Sequence, residues 1–237
     1  MQSNNTPGYK HLFFDLDRTL WDFDTNNRAT FTEIYDHFCL HSRGIVNFEE
    51  FFGFYTQINA TLWKKYRDHL IKKEELNFLR FHNTLLSFGI KDSELAQKMS
   101  VYYIDVSPYK TALYPSTIDT LESLFGKYQM HIVTNGFEEV QYIKLDNSGL
   151  KKYFDKVITS EQAGFKKPDR RIFEFALQIS GATRQDSLFI GDDTEADILG
   201  AHLAGIDQLW VRHYPDQPTF NKATYSVDKL KDILLIL

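Results

Sequence analysis

The chain has 237 residues, of which 43% are hydrophobic and 25% charged, and its formal net charge is -5. This composition allows a full hydrophobic core and excludes a disordered, collagen-like or disulfide-stapled protein. A single cysteine cannot form an internal disulfide, and a pI near 5.9 argues against a basic surface for polymeric nucleic acid. No apolar run reaches the roughly 20 residues of a membrane span, and the start, MQSNNTPGYKHLFF, lacks signal-peptide features. We expect a cytoplasmic protein that binds neither nucleic acid polymers nor membranes.

The first third of the chain combines one predicted strand with a long helical segment. The run KHLFFDL at residues 10–16 is short, apolar and typical of a buried strand. Residues 22–110 then show only helical spacing of apolar side chains. Four helices are predicted there. Asp24 or Thr25 starts the first, Asn47 with Glu50 starts the second, Gly89 ends the third, and Ser93 starts the fourth.

From Tyr114 onward the pattern changes to alternating strands and helices. A helix that starts near Pro115 is followed by the predicted strands MHIVT, KVITS, SLFIG and QLWVR. The helices EEVQYIKLDNSGL, RRIFEFALQIS and EADILGAHLAG separate these strands, a pattern of βαβ units with a parallel sheet. A last amphipathic helix is predicted over VDKLKDILLIL, whose leucines could support a dimer, so we expect a monomer or a homodimer.

Because a lone strand is unstable, the first strand is expected to join the later sheet. The sequence therefore predicts an α/β protein with a Rossmann-like parallel sheet flanked by helices. Residues 1–21 and 111–237 would form this core. Residues 22–110 would form an all-helical cap, inserted after the first strand.

Chemically active residues follow the predicted strands. Ligands of open parallel sheets bind beyond the carboxyl ends of the strands. The polar residues at those ends are Asp15, Asp17, Thr134, Asn135, Lys166, Lys167, Asp192, Asp193 and Asp197. Each one alone is more simply read as a helix cap, a turn or a solvated surface residue.

Together, however, these residues point to a site for a metal and an anion. Several carboxylates at one edge would repel one another unless a cation compensated them. Oxygen ligands without histidine or cysteine favour Mg²⁺ over Zn²⁺. The lysine and the threonine suit an anion with several oxygens, such as a phosphoryl group.

Four short motifs in this order carry a family resemblance. DLDRT, IVTNG, KKP and GDDTEAD resemble the four motifs of the haloacid dehalogenase (HAD) superfamily of aspartate-nucleophile phosphohydrolases. The position of the helical insertion resembles the type-1 cap of that superfamily. The segments ITSEQAGFKKPDRRIF, GDDTEADILGAHLAG, TNGFEEVQYIKLDNSGL and LWKKYR further resemble its pyrimidine 5′-nucleotidase branch.

The resemblance implies a role for each catalytic residue. Asp15 would attack phosphorus and become an aspartyl-phosphate. Asp17 would protonate the leaving oxygen and then activate the hydrolytic water. Thr134, with the backbone N–H of Asn135, would hydrogen-bond a phosphoryl oxygen. Lys167 would pair with the phosphoryl charge and with the nucleophile.

The resemblance also implies a Mg²⁺ site and leaves three positions open. Asp192 would bind the metal together with Asp15 and the backbone carbonyl of Asp17, and Asp197 would act through a metal-bound water. Asp193 either joins this shell or does not. At position 18 many relatives have Asp, Asn or Gly, so Arg18 is a departure whose side chain could point away. Lys166 is the alternative to Lys167, which directly precedes the proline and is preferred.

The substrate is expected to be a small phosphomonoester, and the resemblance implies pyrimidine nucleoside 5′-monophosphates such as dUMP, dTMP and UMP. The many cap aromatics are more simply read as cap core, but Trp63 could stack on a base while Asn59 and Arg80 contact the substrate. The alternatives are a phosphatase for another metabolite (a sugar phosphate or phosphoglycolate), a 2-haloacid dehalogenase, or a non-enzymatic receiver. Dehalogenation has no use for Asp17 or Asp192, and a receiver places its acids in another order.

Overall fold

A computed structural model describes residues 8–213 and 223–237 of the chain. The expectation about a signal peptide falls partly on residues 1–7, which lie outside these ranges. Within them, no helix combines the length and the apolar character needed to cross a bilayer.

The sheet contains six strands in the described residues, and all pairs are parallel. They are β1 (His11–Phe14), β2 (Gln129–Thr134), β3 (Lys156–Thr159), β4 (Ser187–Gly191), β5 (Asp207–Val211) and β6 (Tyr225–Val227). Their order is β3-β2-β1-β4-β5-β6. Phe14, the last residue of β1, pairs with Ile132 on one side and with Ile190 on the other, so the three central strands are in register and end within two residues of one another.

Both faces of the sheet are buried, as expected for a parallel sheet covered by helices. Successive strand residues point to opposite faces, and Leu12 and Phe14 pack in one core cluster while Phe13 packs in the other. The first cluster includes residues of helix α5 (Thr117–Leu124) and of the 3₁₀ turn Leu230–Leu235. The second includes residues of α8 (Arg170–Ser180) and α9 (Gly200–Leu203). Two further helices, α6 (Glu138–Asn147) and α7 (Ser160–Ala163), connect β2 to β3 and β3 to α8.

Four helices follow the first strand: α1 (Phe23–His37), α2 (Phe48–Arg67), α3 (Lys73–Ser87) and α4 (Ser93–Val106). The side chain of Asn47 accepts hydrogen bonds from the backbone N–H groups of Glu49 and Glu50, which caps α2 as predicted. Buried apolar side chains from all four helices pack into one separate cluster. Contacts within the chain group its residues into two units, residues 1–23 with 111–237 and residues 24–110.

The predicted α/β fold with a helical region after the first strand is confirmed, with three local differences. The segment EADILGAHLAG is a π-helix (Thr194–Leu199) followed by the short helix α9. The prediction of a last amphipathic helix over VDKLKDILLIL was wrong, because Val227 ends β6 and Leu230–Leu235 form a 3₁₀ turn in which Leu230 and Ile233 are buried and Leu235 is exposed. Strand β6 has only three residues and was not predicted because so short a run carries little periodicity.

Candidate active site

The register of the sheet brings three polar segments to one edge. Asp15 follows β1, Thr134 is the last residue of β2, and Asp192 follows β4. Because the central strands are aligned, these residues lie next to one another beyond the strand ends. The backbone N–H of Asp15 donates to the carbonyl of Ile190 at 2.9 Å, which extends the pairing to the first residue of the site.

Lys167 lies at the centre of this group. Its Nζ donates to Oδ1 of Asp15 and to Oδ1 of Asp197, both at 2.6 Å, and to the carbonyl oxygen of Val133 at 2.9 Å. Its side chain is only 2% exposed. All three donor positions of the ammonium are therefore used, and two buried carboxylates share one counter-charge.

Three carboxylates at this edge fit a metal ion. One oxygen each of Asp15, Asp192 and Asp197 lies within 4.8 Å of the others. The hydroxyl of Thr19 donates a hydrogen bond to Oδ1 of Asp192 at 3.1 Å. The backbone of Asp192 is also held, because Nε1 of Trp210 donates to its carbonyl at 3.0 Å. Carboxylate oxygens of this kind are the ligands that Mg²⁺ prefers.

The protonation equilibria of these groups show the same crowding of negative charge. Burial, with Asp197 and Asp17 nearby, raises the pKa of Asp15 to about 7 although the Lys167 ammonium opposes the shift. Burial and the neighbouring carboxylates also raise the pKa of Asp192 and that of Asp197. Burial alone would lower the pKa of Lys167, but Asp15 and Asp197 hold it above its ordinary value. A cation would favour the ionised carboxylates.

The π-helix and a glycine place Asp197 in the group. A Cβ at Gly191 would lie 2.4 Å from Oδ2 of Asp197, so only glycine leaves room for that carboxylate. The same Oδ2 accepts the backbone N–H of Asp193 at 3.1 Å. The Asp193 side chain caps the π-helix, since its Oδ1 accepts the N–H groups of Glu195 and Ala196, both at 2.9 Å. Capping of the π-helix therefore accounts for the position of the Asp193 side chain.

Thr134 and Asn135 have different surroundings. Oγ1 of Thr134 accepts the backbone N–H of Gly136 at 2.9 Å, and the residue is buried. The amide of Asn135 clamps the backbone of Lys167: Nδ2 donates to its carbonyl at 2.9 Å, and Oδ1 accepts its N–H at 2.8 Å. The peptide bond between Lys167 and Pro168 is cis. Asn135 therefore fixes the segment that carries the central lysine.

Asp17 is held by two residues of α6 that the sequence analysis did not identify. Nζ of Lys144 donates to its Oδ1 at 2.5 Å, and Nε2 of Gln141 donates to its Oδ2 at 3.0 Å. A signal was present, because Gln141 and Lys144 are polar residues three positions apart, hence on one face of the helix, and both are buried. Arg18 has φ 64°, and its guanidinium stacks over the ring of Phe23 at 4.5 Å.

The remaining candidates, Asn59, Trp63 and Arg80, belong to the helical unit. Asn59 and Arg80 are buried, and the Arg80 guanidinium lies over the ring of Tyr103 at 4.4 Å. Nη2 of Arg80 donates to Oδ1 of Asn77 at 2.9 Å. Trp63 packs edge-on against Tyr66, with ring centroids 5.6 Å apart. Their part in substrate binding stays a prediction.

Known proteins resemble this chain over almost its full length. It is 35% identical over 231 residues to the pyrimidine 5′-nucleotidase PynA of Streptococcus pneumoniae, covering 95% of this chain and 94% of that protein. It is 30% identical over 228 residues to the pyrimidine 5′-nucleotidase YjjG of Escherichia coli, covering 95% and 96%. Curated relatives also include a glyceraldehyde 3-phosphate phosphatase of Methanothermobacter thermautotrophicus, 32% identical over 85% of each chain.

A solved structure has the same fold and contained the expected metal. The crystal structure of the HAD-hydrolase YfnB of Bacillus subtilis, bound to magnesium, superposes with a TM-score of 0.86 at 28% identity. The match covers 96% of this chain and 98% of that one. Residues 12–211 match the model of the haloacid dehalogenase-like hydrolase family. The Asp15, Lys167 and Asp192 segments follow one another in the family's order and meet at the aligned strand ends. The chain therefore belongs to the haloacid dehalogenase-like hydrolases.

Proposed function

We propose that this enzyme is a Mg²⁺-dependent phosphomonoester hydrolase that acts through an aspartyl-phosphate, and that pyrimidine nucleoside 5′-monophosphates are its preferred substrates. The observation that carries the chemistry is the contact of the Lys167 ammonium with two buried carboxylates, Asp15 and Asp197, beside a third, Asp192. Phosphoryl transfer depends mainly on positioning and charge compensation, which this arrangement supplies.

The acidic group fits a resident Mg²⁺. Asp15, Asp192, Asp197 and the backbone carbonyl of Asp17 would hold the ion. When bound, the ion would neutralise charge on the phosphoryl oxygens as a Lewis acid. The buried, mutually repelling carboxylates support this assignment, because their ionised forms need a counter-charge.

The protein side chains supply the remaining chemistry. The carboxylate of Asp15 attacks phosphorus, and the bond from phosphorus to the leaving oxygen breaks while Asp17 donates a proton to that oxygen. Water then attacks the aspartyl-phosphate and gives a proton to Asp17, which releases phosphate and restores Asp15. Lys167 holds the nucleophile in place, and Thr134 with the N–H of Asn135 binds a phosphoryl oxygen.

The substrate preference rests on similarity and on the helical insertion. Relatives 30–35% identical over nearly the whole chain are pyrimidine 5′-nucleotidases. The helical unit, residues 24–110, is proposed to act as the cap that encloses the substrate and reads its base. Trp63, Asn59 and Arg80 are the residues proposed to contact dUMP, dTMP or UMP.

One alternative substrate class has a specific observation in its favour. Because a relative of 32% identity is a glyceraldehyde 3-phosphate phosphatase, the same core chemistry could serve a small sugar phosphate. The dehalogenase and receiver alternatives have less support, since Asp17 and Asp192 are both present and Asp17 is held by two hydrogen bonds.

A substrate panel tests the proposal. Purified enzyme is assayed for phosphate release from dUMP, dTMP, UMP, purine monophosphates, glyceraldehyde 3-phosphate, phosphoglycolate and p-nitrophenyl phosphate, with Mg²⁺ and after chelation. We expect the highest kcat/KM for the pyrimidine nucleotides and no turnover without the metal. Activity that survives thorough chelation contradicts the metal assignment. Faster hydrolysis of purine nucleotides or sugar phosphates contradicts the nucleotidase assignment alone.

A further inference from the structure

Both carboxylate oxygens of Asp17 accept hydrogen bonds from side chains of helix α6. Oδ1 accepts from Nζ of Lys144 at 2.5 Å, and Oδ2 accepts from Nε2 of Gln141 at 3.0 Å. One donor on each oxygen fixes the plane of the carboxylate and leaves the other lone pairs for a further partner. The bonded residues are 124 and 127 positions apart in the sequence, so these bonds connect the loop after β1 to α6.

Lys144 is itself held in place. Its side chain is 6% exposed, and its ammonium lies 4.0 Å from the centroid of the Trp21 ring and 5.9 Å from that of Phe23. A cation over an aromatic face is attracted to the ring, and the two rings also shield the ammonium from water. Trp21 is anchored to the same loop, because its carbonyl accepts the N–H of Arg18 and its N–H donates to the carbonyl of Leu16.

The path of Gln141 depends on a glycine. A Cβ at Gly136 would lie 1.6 Å from Nε2 of Gln141, so any other residue there would displace the amide that reaches Asp17. The opposite amide oxygen of Gln141, Oε1, is buried and has no hydrogen-bond partner among the described residues. The Asp17 carboxylate sets the orientation of the Gln141 amide, because an amide oxygen turned toward that carboxylate would be repelled. Nε2 is therefore the end of the amide that faces Asp17.

We propose that Lys144 and Gln141 are positioning residues for the acid–base work of Asp17. This inference rests on the proposed function, in which Asp17 gives a proton to the leaving oxygen as the bond from that oxygen to phosphorus breaks. Lys144 then faces the negative charge that remains on the Asp17 carboxylate, and Gln141 fixes the direction in which the carboxyl group points. Both effects act on proton transfer and leave the attack of Asp15 unchanged.

Leaving-group dependence separates this role from a merely structural one. Phenyl phosphate and p-nitrophenyl phosphate differ little in size, but phenolate needs protonation on leaving far more than p-nitrophenolate does. We therefore compare kcat/KM for the two esters in wild type, Lys144→Met, Gln141→Leu and the control Lys151→Met. Lys151 lies just after α6 and forms an exposed ion pair with Asp146, which belongs to α6. Circular dichroism and the Tm of each variant establish that it is folded.

We expect Lys144→Met to lower kcat/KM for phenyl phosphate by about 10²-fold, as a misplaced catalytic group can, and for p-nitrophenyl phosphate by less than about 5-fold. Gln141→Leu should show the same selectivity with a smaller loss, and it serves as the test if Lys144→Met does not fold. Lys151→Met should match wild type for both esters. An equal loss for both esters, no loss, or faster turnover in Lys144→Met overturns the positioning role. A wild type that hydrolyses neither ester refutes the proposed phosphatase function instead.

Discussion

Removing the central ammonium is the sharpest perturbation of the site. Lys167→Met keeps a similar length of side chain but deletes the group that donates to Asp15, Asp197 and the carbonyl of Val133. The two carboxylates stay buried, with side chains 10% and 2% exposed, and lose their shared counter-charge. The substitution therefore leaves two negative groups unpaired in a nearly dry environment.

The expected destabilisation follows from that burial. Deleting one partner of a buried ion pair costs about 3–5 kcal/mol, because the remaining charge is left uncompensated. Here each carboxyl group can take up a proton and relieve part of this cost, so we expect a loss of about 3 kcal/mol in the free energy of unfolding. For a chain of this size that loss lowers the Tm by about 6–12 °C.

Lys167→Met should also lose activity more severely than it loses stability. One preorganised donor at developing charge is worth about 10²–10³ in kcat, and this lysine also orients the proposed nucleophile. The assays are urea denaturation of metal-stripped protein and turnover of p-nitrophenyl phosphate with Mg²⁺. Lys166→Met is the matched control, since it changes the neighbouring lysine, and we expect it to alter stability by no more than about 0.5 kcal/mol.

Two results would refute this reasoning. If Lys167→Met unfolds within about 1 °C of wild type, the ion pairs seen here do not contribute to stability as buried pairs do. If Lys166→Met loses activity and Lys167→Met does not, the wrong lysine has been assigned to the site.

Three further predictions concern other residues. Asp15→Asn should abolish turnover of every phosphate ester while leaving the Tm within a few degrees, and substantial residual phosphate release would mean that another residue attacks phosphorus. Trp63→Ala should raise KM for dUMP or dTMP and spare aryl-phosphate turnover, whereas a joint loss of kcat would make Trp63 cap core only. Burial and the nearby His11 lower the pKa of His131 to about 4, although Asp155 opposes the shift. Between pH 6.5 and pH 4 the His131 imidazole therefore stays neutral in the folded state but takes up a proton in the unfolded state. Stability should therefore fall by at most about 3 kcal/mol between pH 6.5 and pH 4, and His131→Gln should flatten that slope in urea titrations.

The sequence predicted the parts of the site that depend on strand ends. In a parallel sheet, the residues after aligned strands meet at one edge, so Asp15, Thr134 and Asp192 could be grouped without coordinates. The distinction between Lys166 and Lys167 came from the family resemblance, and the structure shows the contacts of Lys167 with Asp15 directly. The role of each residue in turnover stays a prediction.

Contacts that cross long sequence separations were not predictable. The helix predicted over EEVQYIKLDNSGL contains Gln141 and Lys144 three positions apart, but its sequence does not show that these two residues face Asp17. The π-helix at Thr194–Leu199 was predicted as an ordinary helix because its apolar spacing is compatible with both. Two contacts of Asp193 lie at the start of this π-helix, its side-chain cap and its N–H bond to Asp197, and they become visible only with coordinates.

The balance of charge at the sheet edge connects the two lysines to the proposed metal site. Lys167 compensates Asp15 and Asp197, and Lys144 compensates Asp17, whereas a Thr19 hydroxyl is the hydrogen-bond donor to the carboxylate of Asp192 among the described residues. When all four carboxylates are ionised, two ammonium groups leave two negative charges. A single divalent cation would neutralise that remainder, and the burial of Asp15 and Asp197 makes this important because water screens buried charges weakly. Lys144 enters this balance through Asp17, whose carboxylate its ammonium contacts at 2.5 Å.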